Sequence, residues 1–586
     1  MINRTKIILI FLIFGINFSL LMVSIYYFNL SIINNNDNGN DGNDEDNPTI
    51  LIDGDGVYNW AWAVSQPWCD GSGTLNDPYV IENLDINGTG YETCIQIRDS
   101  SVFFLIKGCN ISNGDDEGIY LINVQNGLIN NNLIANNRYG IRLENCNNNN
   151  ISGNIINLNV WGIHLYNSNS NYLYGNLLKN NRWYGIMTYS SNQIRIYQNN
   201  ITTSDSDLFH AYGIKISYCE NNILIENKMS GCGIGIEGHL NDLISHDINI
   251  TNKVNEKSVY YYKNQLGLDS DNFTNSGQII LVNCNNSILS QMNFVNSTEG
   301  ISLFYCSNNL IIENNITYNT DFGIFLLSSN ENNITKNNVN SNIDFGIRLE
   351  ESNYNKISEN SINNNGCGIE LDNSTYNKIL GNIANWNRLG IRIEYDSNYN
   401  KILTNKIKRS RDEGIDIVYS FGNNISGTEV NYNSREGISL SSSNNNIIFN
   451  NNAYYNDDGG IELWWCNDNI ITGNTLTYNT LSGLRISGDR NIVRGNTLTN
   501  NNRYGIELQS SDWNIIFLNY LIDNLMINAF DNYGSNNQWD NGSIGNFWSD
   551  YSGFDANDNG IGDSPYIVNG DSGSQDNFPI WDDGPG

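Results

Sequence analysis

The chain has 586 residues, of which 62 are acidic and 30 are basic, and its formal net charge is −32. This charge argues against nucleic acid as a partner, because phosphate binding requires clustered lysine and arginine. The ten cysteines and four histidines form no CxxC pair or Cys/His cluster, which argues against a zinc site.

The N-terminus has the pattern of a membrane anchor. Arg4 and Lys6 precede an apolar run that extends to about Ile33, longer than the ~20 residues that cross a bilayer. No small-residue cleavage site follows. Residues 1–33 are therefore predicted to be a single-pass transmembrane helix with the rest of the chain outside the cell, and secretion after cleavage is the alternative. Residues 34–47 are predicted to be a disordered acidic tether.

The body of the chain is a repeat. Residues 48–117 are predicted to form an N-terminal cap and the first coils. From residue 118 to residue 506 the dipeptide Gly-Ile, once Gly-Leu, then recurs mostly every 22 or 23 residues. Each period holds short runs of strand type between Asn, Gly and Ser, without an apolar pattern at helical spacing. The period predicts an all-β solenoid over residues 118–524, a right-handed single-stranded parallel β-helix.

Asparagine recurs at two positions of the period, nine and fourteen residues after the glycine. Identical amides stacked at the ~4.8 Å spacing of strands can form hydrogen bonds from coil to coil. The sequence therefore predicts two asparagine ladders, to which Asn149 and Asn154 belong.

The cysteines follow the same register. Six residues after the glycine the chain has a row of serines, and cysteine replaces serine in four coils, at Cys146, Cys219, Cys306 and Cys466. These four are predicted to be small, buried substitutes for serine. Cys284 and Cys306 are predicted either to stack or to form a bridge. An oxidised pair is expected among Cys69, Cys94 and Cys109.

Outward positions of the Gly-Ile strands hold the catalytic candidates. The second and fourth residues after each glycine point to solvent, because side chains alternate along a strand. Glu350, Asp372 and Glu394 then form one column, with neighbours ~5 Å and next neighbours ~10 Å apart, close to the carboxylate separations of glycosidases. They are the catalytic residues if the protein is an enzyme. The alternative is a solvated row of weak ion pairs, because arginines alternate with the acids.

The same outward positions hold candidate carbohydrate-binding residues. Aromatic side chains there can stack on sugar rings, and carboxylates can hydrogen bond to hydroxyl groups. The candidates, predicted to share one face, are Tyr166, Tyr189, Glu370, Asp372 and Trp464.

Two segments depart from the repeat. Residues 237–299 lack the Gly-Ile start and are predicted to be an irregular insertion, and residues 525–586 are predicted to be a C-terminal cap. The D-x-N-x-N-G-x-x-D spacing in the cap matches the first part of a calcium loop, with the candidate ligands Asp555, Asn557, Asn559 and Asp563. Calcium is the predicted metal. The alternative is a turn without an ion, because Tyr566 stands where an EF-hand loop has glutamate.

The Gly-Ile/Asn repeats, SGTLNDPYVIENLDI near the N-terminus, NKVNEKSVYYYKNQ in the insertion and GNFWSDYSGFDANDNGIGDSPYIV in the tail resemble archaeal surface proteins of the NosD-type β-helix group. The resemblance covers nearly everything after residue 48. It implies a β-helix of the repeat class associated with carbohydrate-binding proteins and sugar hydrolases. The namesake of the group implies copper delivery. Copper binding requires clustered His, Met or reactive Cys, so copper is not expected here.

The sequence thus predicts a membrane-anchored extracellular β-helix that binds carbohydrate or serves as a structural or adhesion module of the cell envelope. A hydrolase or lyase that cleaves polysaccharide along the β-helix face is the first alternative, and NosD-like copper delivery is the second. The predicted partners are a polysaccharide or other glycan and, through residues 1–33, the membrane.

Overall fold

Successive turns of the chain lie in register on one another and form an all-β parallel solenoid of about 20 turns. The structure, a computed structural model, describes residues 49–203 and 211–581. The predicted transmembrane helix at 1–33 and the tether at 34–47 lie outside the described residues. Among the residues that are described, no helix combines the length and the apolar character needed to cross a membrane. The predicted all-β parallel solenoid is confirmed.

The first stack of coils is built from two sheets and the beginning of a third. Sheet 1 consists of Ile50–Asp53, Thr93–Ser100, Glu117–Val124, Tyr139–Glu144, Trp161–Tyr166, Tyr184–Tyr189, Tyr212–Ser217 and Ile234–Glu237. Sheet 2 consists of Cys69–Asp70, Tyr79–Glu82, Phe104–Lys107, Gly127–Asn130, Asn150–Ser152, Tyr172–Tyr174, Arg195–Tyr197, Ile223–Ile225 and Asp247–Ile248. Sheet 3 begins with Asp85–Asn87, Asn110–Ser112, Leu133–Ala135, Ile155–Asn157, Leu177–Lys179, Asn200–Thr202, Lys228–Ser230 and Lys253–Val254.

The second stack continues sheet 3 and adds two sheets. Sheet 3 continues with Lys257–Lys263, Ser276–Val282, Ile301–Phe304, Phe322–Leu327, Phe345–Glu350, Cys367–Asp372, Leu389–Glu394, Ile415–Val418, Ile438–Ser441, Ile461–Trp464, Leu484–Ser487, Tyr504–Gln509 and Ile527–Asn532. Sheet 4 consists of Ile288–Ser290, Leu310–Ile312, Asn333–Thr335, Lys356–Ser358, Lys378–Leu380, Lys401–Leu403, Asn424–Ser426, Ile447–Phe449, Ile470–Thr472, Ile492–Arg494 and Ile515–Phe517. Sheet 5 consists of Asn293–Val295, Asn315–Thr317, Asn338–Asn340, Ser361–Asn363, Ile383–Asn385, Lys406–Lys408, Glu429–Asn431, Asn452–Tyr454, Thr475–Thr477, Thr497–Thr499, Tyr520–Ile522 and Phe547–Trp548. A short pair, Tyr566–Ile567 and Gln575–Asp576, lies in the tail.

The two stacks join at the predicted insertion. Sheet 1, which holds the Gly-Ile strands of the first stack, ends at Ile234–Glu237. Sheet 3 turns back there, because Lys253–Val254 pairs antiparallel with Lys257–Lys263. It then continues in parallel pairing through Ser276–Val282 into the Gly-Ile strands of the second stack. The Gly-Ile strands therefore form one continuous repeat in the sequence but lie in two different sheets, sheet 1 in the first stack and sheet 3 in the second.

Short helices and aromatic residues lie at the junction and near the two ends. The helix Leu240–Ser245 and the 3-10 helix Ser270–Phe273 belong to the junction, and the helix Trp60–Ala63 packs near the first coils. Trp60 stacks on Tyr79 with ring centroids 4.6 Å apart. These large side chains cover apolar surface that an open end of the solenoid would expose.

Buried asparagines hold the corners of the coils together. Asn154 Oδ1 accepts hydrogen bonds from the backbone N–H and the side-chain Nδ2 of Asn132, both at 3.0 Å, and Asn154 Nδ2 donates to Ile129 O at 2.9 Å. Both predicted ladders are present. A third, not predicted, includes Asn137, Asn159 and Asn181. The amides satisfy backbone groups that the corners would otherwise bury without partners.

The glycine of each Gly-Ile pair is explained by close contact between coils. At Gly368, a Cβ atom would lie 2.5 Å from the carbonyl oxygen of Gly390 in the next coil. Interiors packed at this density have no room for the extra atom. The repeated glycine therefore reports the contact of one coil with the next.

The cysteines are free and buried in the structure. The oxidised pair expected among Cys69, Cys94 and Cys109 is not formed. The thiols of Cys94 and Cys109 instead donate to the carbonyl oxygens of Ser112 and Lys107, each at 3.5 Å. Cys284 and Cys306 stack rather than bridge, since the Cys284 backbone N–H donates to Cys306 Sγ at 3.3 Å.

Candidate functional site

Outward side chains of four adjacent strands in sheet 3 form a continuous polar network. We call this network the charged face, and its members are Arg348, Glu350, Glu370, Asp372, Arg392, Glu394 and Asp416. Glu350 is the register partner of Asp372, and Asp372 is that of Glu394. The three catalytic candidates therefore lie side by side, as the alternation of the strands predicts.

Arg348 holds one side of the charged face. Its guanidinium lies 3.4 Å from Glu350, 3.4 Å from Glu370 and 3.1 Å from Asp372. The side chains of Arg348 and Glu370 are only 20% and 4% exposed. Pairs buried to this degree are screened less by salt than surface pairs. The face is thus a fixed arrangement of charges rather than a fully solvated row.

Arg392 holds the other side. It lies 2.9 Å from Glu394 and 3.7 Å from Asp416. Burial, and then the charge of Glu370, raises the pKa of Glu394 to about 7. Burial also raises the pKa of Asp416 to about 6. The charged face therefore combines guanidinium groups with carboxyl groups whose pKa values are raised toward neutral pH.

Two tyrosines flank the charged face at the corner that follows its strands. Tyr395 and Tyr419 are 41% and 58% exposed, and their ring centroids are 6.3 Å apart. Both have φ of +47°, a left-handed conformation that costs a residue with a Cβ atom roughly 1–2 kcal/mol. Asparagine adopts this conformation more readily than an aromatic residue, and Asn373 stands at the same corner one coil earlier with φ of +45°. The chain thus exposes two rings where asparagine suits the backbone better.

The predicted aromatic residues do not share one face. Tyr166 and Tyr189 are partners in sheet 1, with ring centroids 5.7 Å apart. Trp464 lies in sheet 3 and is 38% exposed, with the Arg485 guanidinium 5.5 Å from its ring centroid. The change of sheets at the junction separates the two groups, which the Gly-Ile register alone places in one column.

A buried polar cluster lies where the two stacks meet. The hydroxyl of Tyr212, from the first stack, donates to Glu299 Oε1 at 3.0 Å and also to Asp321, both from the second stack. The hydroxyl of Ser302 donates to the other carboxylate oxygen of Glu299. Glu299 is 2% exposed, and burial raises its pKa to about 7. The cluster therefore links the outer face of sheet 1 to the beginning of the second stack.

The predicted calcium loop forms a closed turn near the C-terminus. Asp555 Oδ2 accepts from the Gly560 N–H at 2.7 Å, and Asp563 Oδ2 accepts from the Ala556 N–H at 2.7 Å. Gly560 has φ of +81°, which glycine adopts without strain. Calcium binding by this loop stays a prediction, with the ligands Asp555, Asn557, Asn559 and Asp563.

If the loop binds calcium, adding calcium is expected to raise the melting temperature of the full chain by a few degrees, because a ligand that binds only the folded state stabilises it. The shift should disappear in the Asp555→Asn, Asp563→Asn double variant. It should persist in Asp571→Asn, which changes an exposed aspartate in the same tail. A wild-type melting temperature that does not respond to calcium or to chelator would identify the loop as a turn without an ion.

The stacked coils and their buried asparagine ladders define a parallel β-solenoid protein. A family model described as Periplasmic copper-binding protein (NosD) matches residues 76–265, 241–406 and 384–553. The chain therefore belongs to the NosD family. No curated protein matches the chain.

Three solved structures of other proteins show low similarity to this chain. The periplasmic alginate epimerase AlgG is 14% identical, with 83% of each chain covered and a TM-score of 0.26. An alginate lyase from Paenibacillus sp. str. FPU-7 is 14% identical over 46% of this chain and 99% of its own, with a TM-score of 0.30. A DFA-IIIase from Arthrobacter chlorophenolicus A6 is 11% identical over 60% of this chain and 92% of its own, with a TM-score of 0.31.

The described residues do not fit a copper site. Across the part of the chain that the structure describes, no three His, Cys, Asp or Glu side chains are grouped to hold a metal. His164 is the register partner of Met187, but its ring packs against Tyr139 and Trp161, and its Nδ1 atom is buried. Burial also raises the pKa of the Cys466 thiol to about 11, whereas copper binds the thiolate.

Proposed function

We propose that this NosD-family solenoid binds carbohydrate, using the charged face together with Tyr395 and Tyr419. The observation that carries the proposal is the exposure of these two rings, in left-handed backbone, beside a network of charges already fixed by its own ion pairs. Carbohydrate sites combine aromatic rings, which pack on the apolar faces of sugars, with a few polar groups that orient hydroxyls. Both components occur here on neighbouring coils.

The remaining candidates have secondary roles in the proposal. Asp372, 22% exposed, is the acceptor at the centre of the charged face, and Glu370, 4% exposed, positions the Arg348 guanidinium. The stacked pair Tyr166 and Tyr189 and the separate Trp464 are further aromatic contacts for a long glycan. With residues 1–33 as a membrane anchor, the solenoid would stand at the cell surface, and its charge of −32 would keep it soluble there.

A polysaccharide-cleaving enzyme is the second candidate function. It is favoured by Glu394, whose pKa of about 7 lets it carry a proton at neutral pH in the strand next to Asp372. Glycosidases use such a pair, one carboxyl group as acid and a second as base or nucleophile. Asp372 is held by Arg348 at 3.1 Å, which fixes its orientation.

The test of carbohydrate binding is a glycan array with the full chain, followed by titration of the best glycan. Tyr395→Asn, Tyr419→Asn is expected to lower affinity at least tenfold, or about 1.4 kcal/mol. The variant should fold as well as wild type, because asparagine suits the left-handed corner. Tyr533→Asn is the matched control, since Tyr533 is 72% exposed with φ of +58° but lies in the last coil, remote from the charged face.

The array also decides between the candidates. A chain that binds no glycan, or that loses binding equally in Tyr533→Asn, contradicts the proposal. Incubation with neutral and acidic polysaccharides, followed by assays for new reducing ends and unsaturated sugars, tests for cleavage. Turnover that is lost in Asp372→Asn would replace binding by catalysis as the primary function.

A further inference from the structure

Three lysines form a column on sheet 4. Lys356, Lys378 and Lys401 each begin a strand, and they are register partners in three adjacent strands. All three are exposed. Because neighbouring strands lie ~4.8 Å apart, the column carries one positive charge per coil along the solenoid axis.

The column has no acidic partner in the described part of the chain, where no carboxylate oxygen lies within 4.0 Å of its ammonium groups. Lys408, by contrast, pairs with Glu429 at 3.0 Å. Like charges directly opposite each other in a sheet are destabilising, and a chain with 62 acidic residues has many carboxylates that could neutralise them. The unpaired column is therefore complementary to an external anion.

A ladder of tyrosines runs beside the column. Tyr354, Tyr376 and Tyr399 stand two residues before the three lysines, in a Tyr-Asn-Lys sequence that occurs in three consecutive coils. Their rings stack with centroids 5.1 and 5.2 Å apart, and they are 59%, 49% and 46% exposed. Stacking covers the faces of the middle ring. The ladder therefore presents ring edges and phenol hydroxyls along the whole column.

We infer that the lysine column and the tyrosine ladder bind an acidic polysaccharide, an extended chain with a carboxylate on successive sugars that lies parallel to the solenoid axis. One charge per coil suits one charge per sugar, because a coil and a sugar residue have similar lengths. The phenol hydroxyls can form hydrogen bonds with the sugar hydroxyls. The inference rests on the proposed carbohydrate binding, to which it adds a charge class and a second surface.

The placement of this surface agrees with a long ligand. Lys356, Lys378 and Lys401 belong to the same three coils as the carboxylate column of Glu350, Asp372 and Glu394, but they lie on the adjacent sheet. The two surfaces therefore differ in their unpaired charge. Sheet 4 presents unpaired positive groups, whereas the arginines of the charged face are already neutralised by their own carboxylates.

Other polyanions fit this surface less well. Proteins that bind single-stranded nucleic acid receive bases on open aromatic faces, whereas these tyrosine rings cover one another. Segments that bind anionic lipid carry clusters of about 4–8 basic residues. The column, with three lysines, falls short of that number.

The experiment compares two forms of one polymer, polygalacturonate and its fully methyl-esterified derivative, as ligands of the full chain. The esterified polymer keeps the sugar backbone and loses the charge. We expect polygalacturonate to bind at least tenfold more tightly, with an affinity that falls as salt is added. K356Q/K378Q/K401Q should lose at least tenfold in this affinity and most of the salt dependence. Its melting temperature should equal or exceed that of wild type, because the variant removes repulsion.

The matched control is K179Q/K228Q/K406Q, which removes three exposed lysines from sheets 3 and 5 and changes the net charge equally. It should alter the affinity for polygalacturonate less than twofold. Equal effects of the two triple variants, equal binding of the two polymers, or tighter lysine-dependent binding of an oligonucleotide or of phosphatidylserine vesicles would each overturn the inference. If a neutral glycan binds through Tyr395 and the affinity for polygalacturonate does not depend on the three lysines, only the further inference is contradicted and the proposed function is not. No binding of any carbohydrate would defeat both.

Discussion

Gly390→Ala is expected to lower the free energy of unfolding by at least about 3 kcal/mol. A Cβ atom at this position would lie 2.3 Å from the carbonyl oxygen of Gly414 and 2.5 Å from Cγ2 of Ile407. The first contact is with backbone of the next coil, which cannot rotate away as a side chain can. Relief requires the two coils to separate, and that would lengthen strand hydrogen bonds in all three sheets of the second stack.

Gly381→Ala, in the preceding coil, provides the matched control. Gly381 has φ of +65°, but a Cβ atom there would meet no atom within 4 Å. Its expected effect is only the conformational penalty of about 1 kcal/mol. The two variants are compared by urea unfolding and by hydrogen exchange of the neighbouring coils. If Gly381→Ala proves the more damaging of the two, close packing between coils is not what the repeated glycine provides.

The fold was predictable because each coil makes the same contacts as the next. The close contact at Gly368 and the hydrogen bonds of Asn154 recur in successive coils. The residues that make these contacts therefore recur at a fixed period in the sequence. The asparagines of the third ladder, which includes Asn137, recur at the same period, so this ladder could also have been predicted from the sequence. Repetition also made the register of Glu350, Asp372 and Glu394 predictable, because it follows from strand alternation.

The junction was not predictable from the repeat, since it is a single event. The hydrogen bond from Tyr212 to Glu299 joins residues 87 apart in sequence. Because this contact is made once, no repeated pattern in the sequence predicts it. Because the Gly-Ile strands change sheets at this junction, Trp464 and Tyr166 lie in different sheets. Both nevertheless stand four residues after their glycines. The exposure of a side chain and the φ angle of its residue also cannot be inferred from the repeat. The sequence therefore did not predict Tyr395 as a candidate.

The stability of the protein is expected to fall, not rise, as the pH increases from about 5 to about 8. Burial raises the pKa of Glu117, Glu299, Glu394 and Glu436 from 4.5 to about 7. For an acid whose pKa is higher in the folded state, folding is favoured while the group is protonated, and stability is lost between the unfolded and the folded pKa. Each group contributes up to about 3 kcal/mol at 1.36 kcal/mol per pKa unit. Circular-dichroism melts across this range measure the effect.

Glu299→Gln isolates one contribution, because glutamine has the shape of the protonated acid and can still accept from Tyr212. The variant should match wild type at pH 5 and exceed it at pH 8, by up to about 3 kcal/mol in unfolding free energy. Glu313→Gln, at an exposed corner of the second stack, should leave the pH profile unchanged. Because Glu299 joins the two stacks, hydrogen exchange around Tyr212 should slow in Glu299→Gln at pH 8. A wild-type chain that is most stable at pH 8 would show that these carboxyl groups are ionised and stabilised by their surroundings.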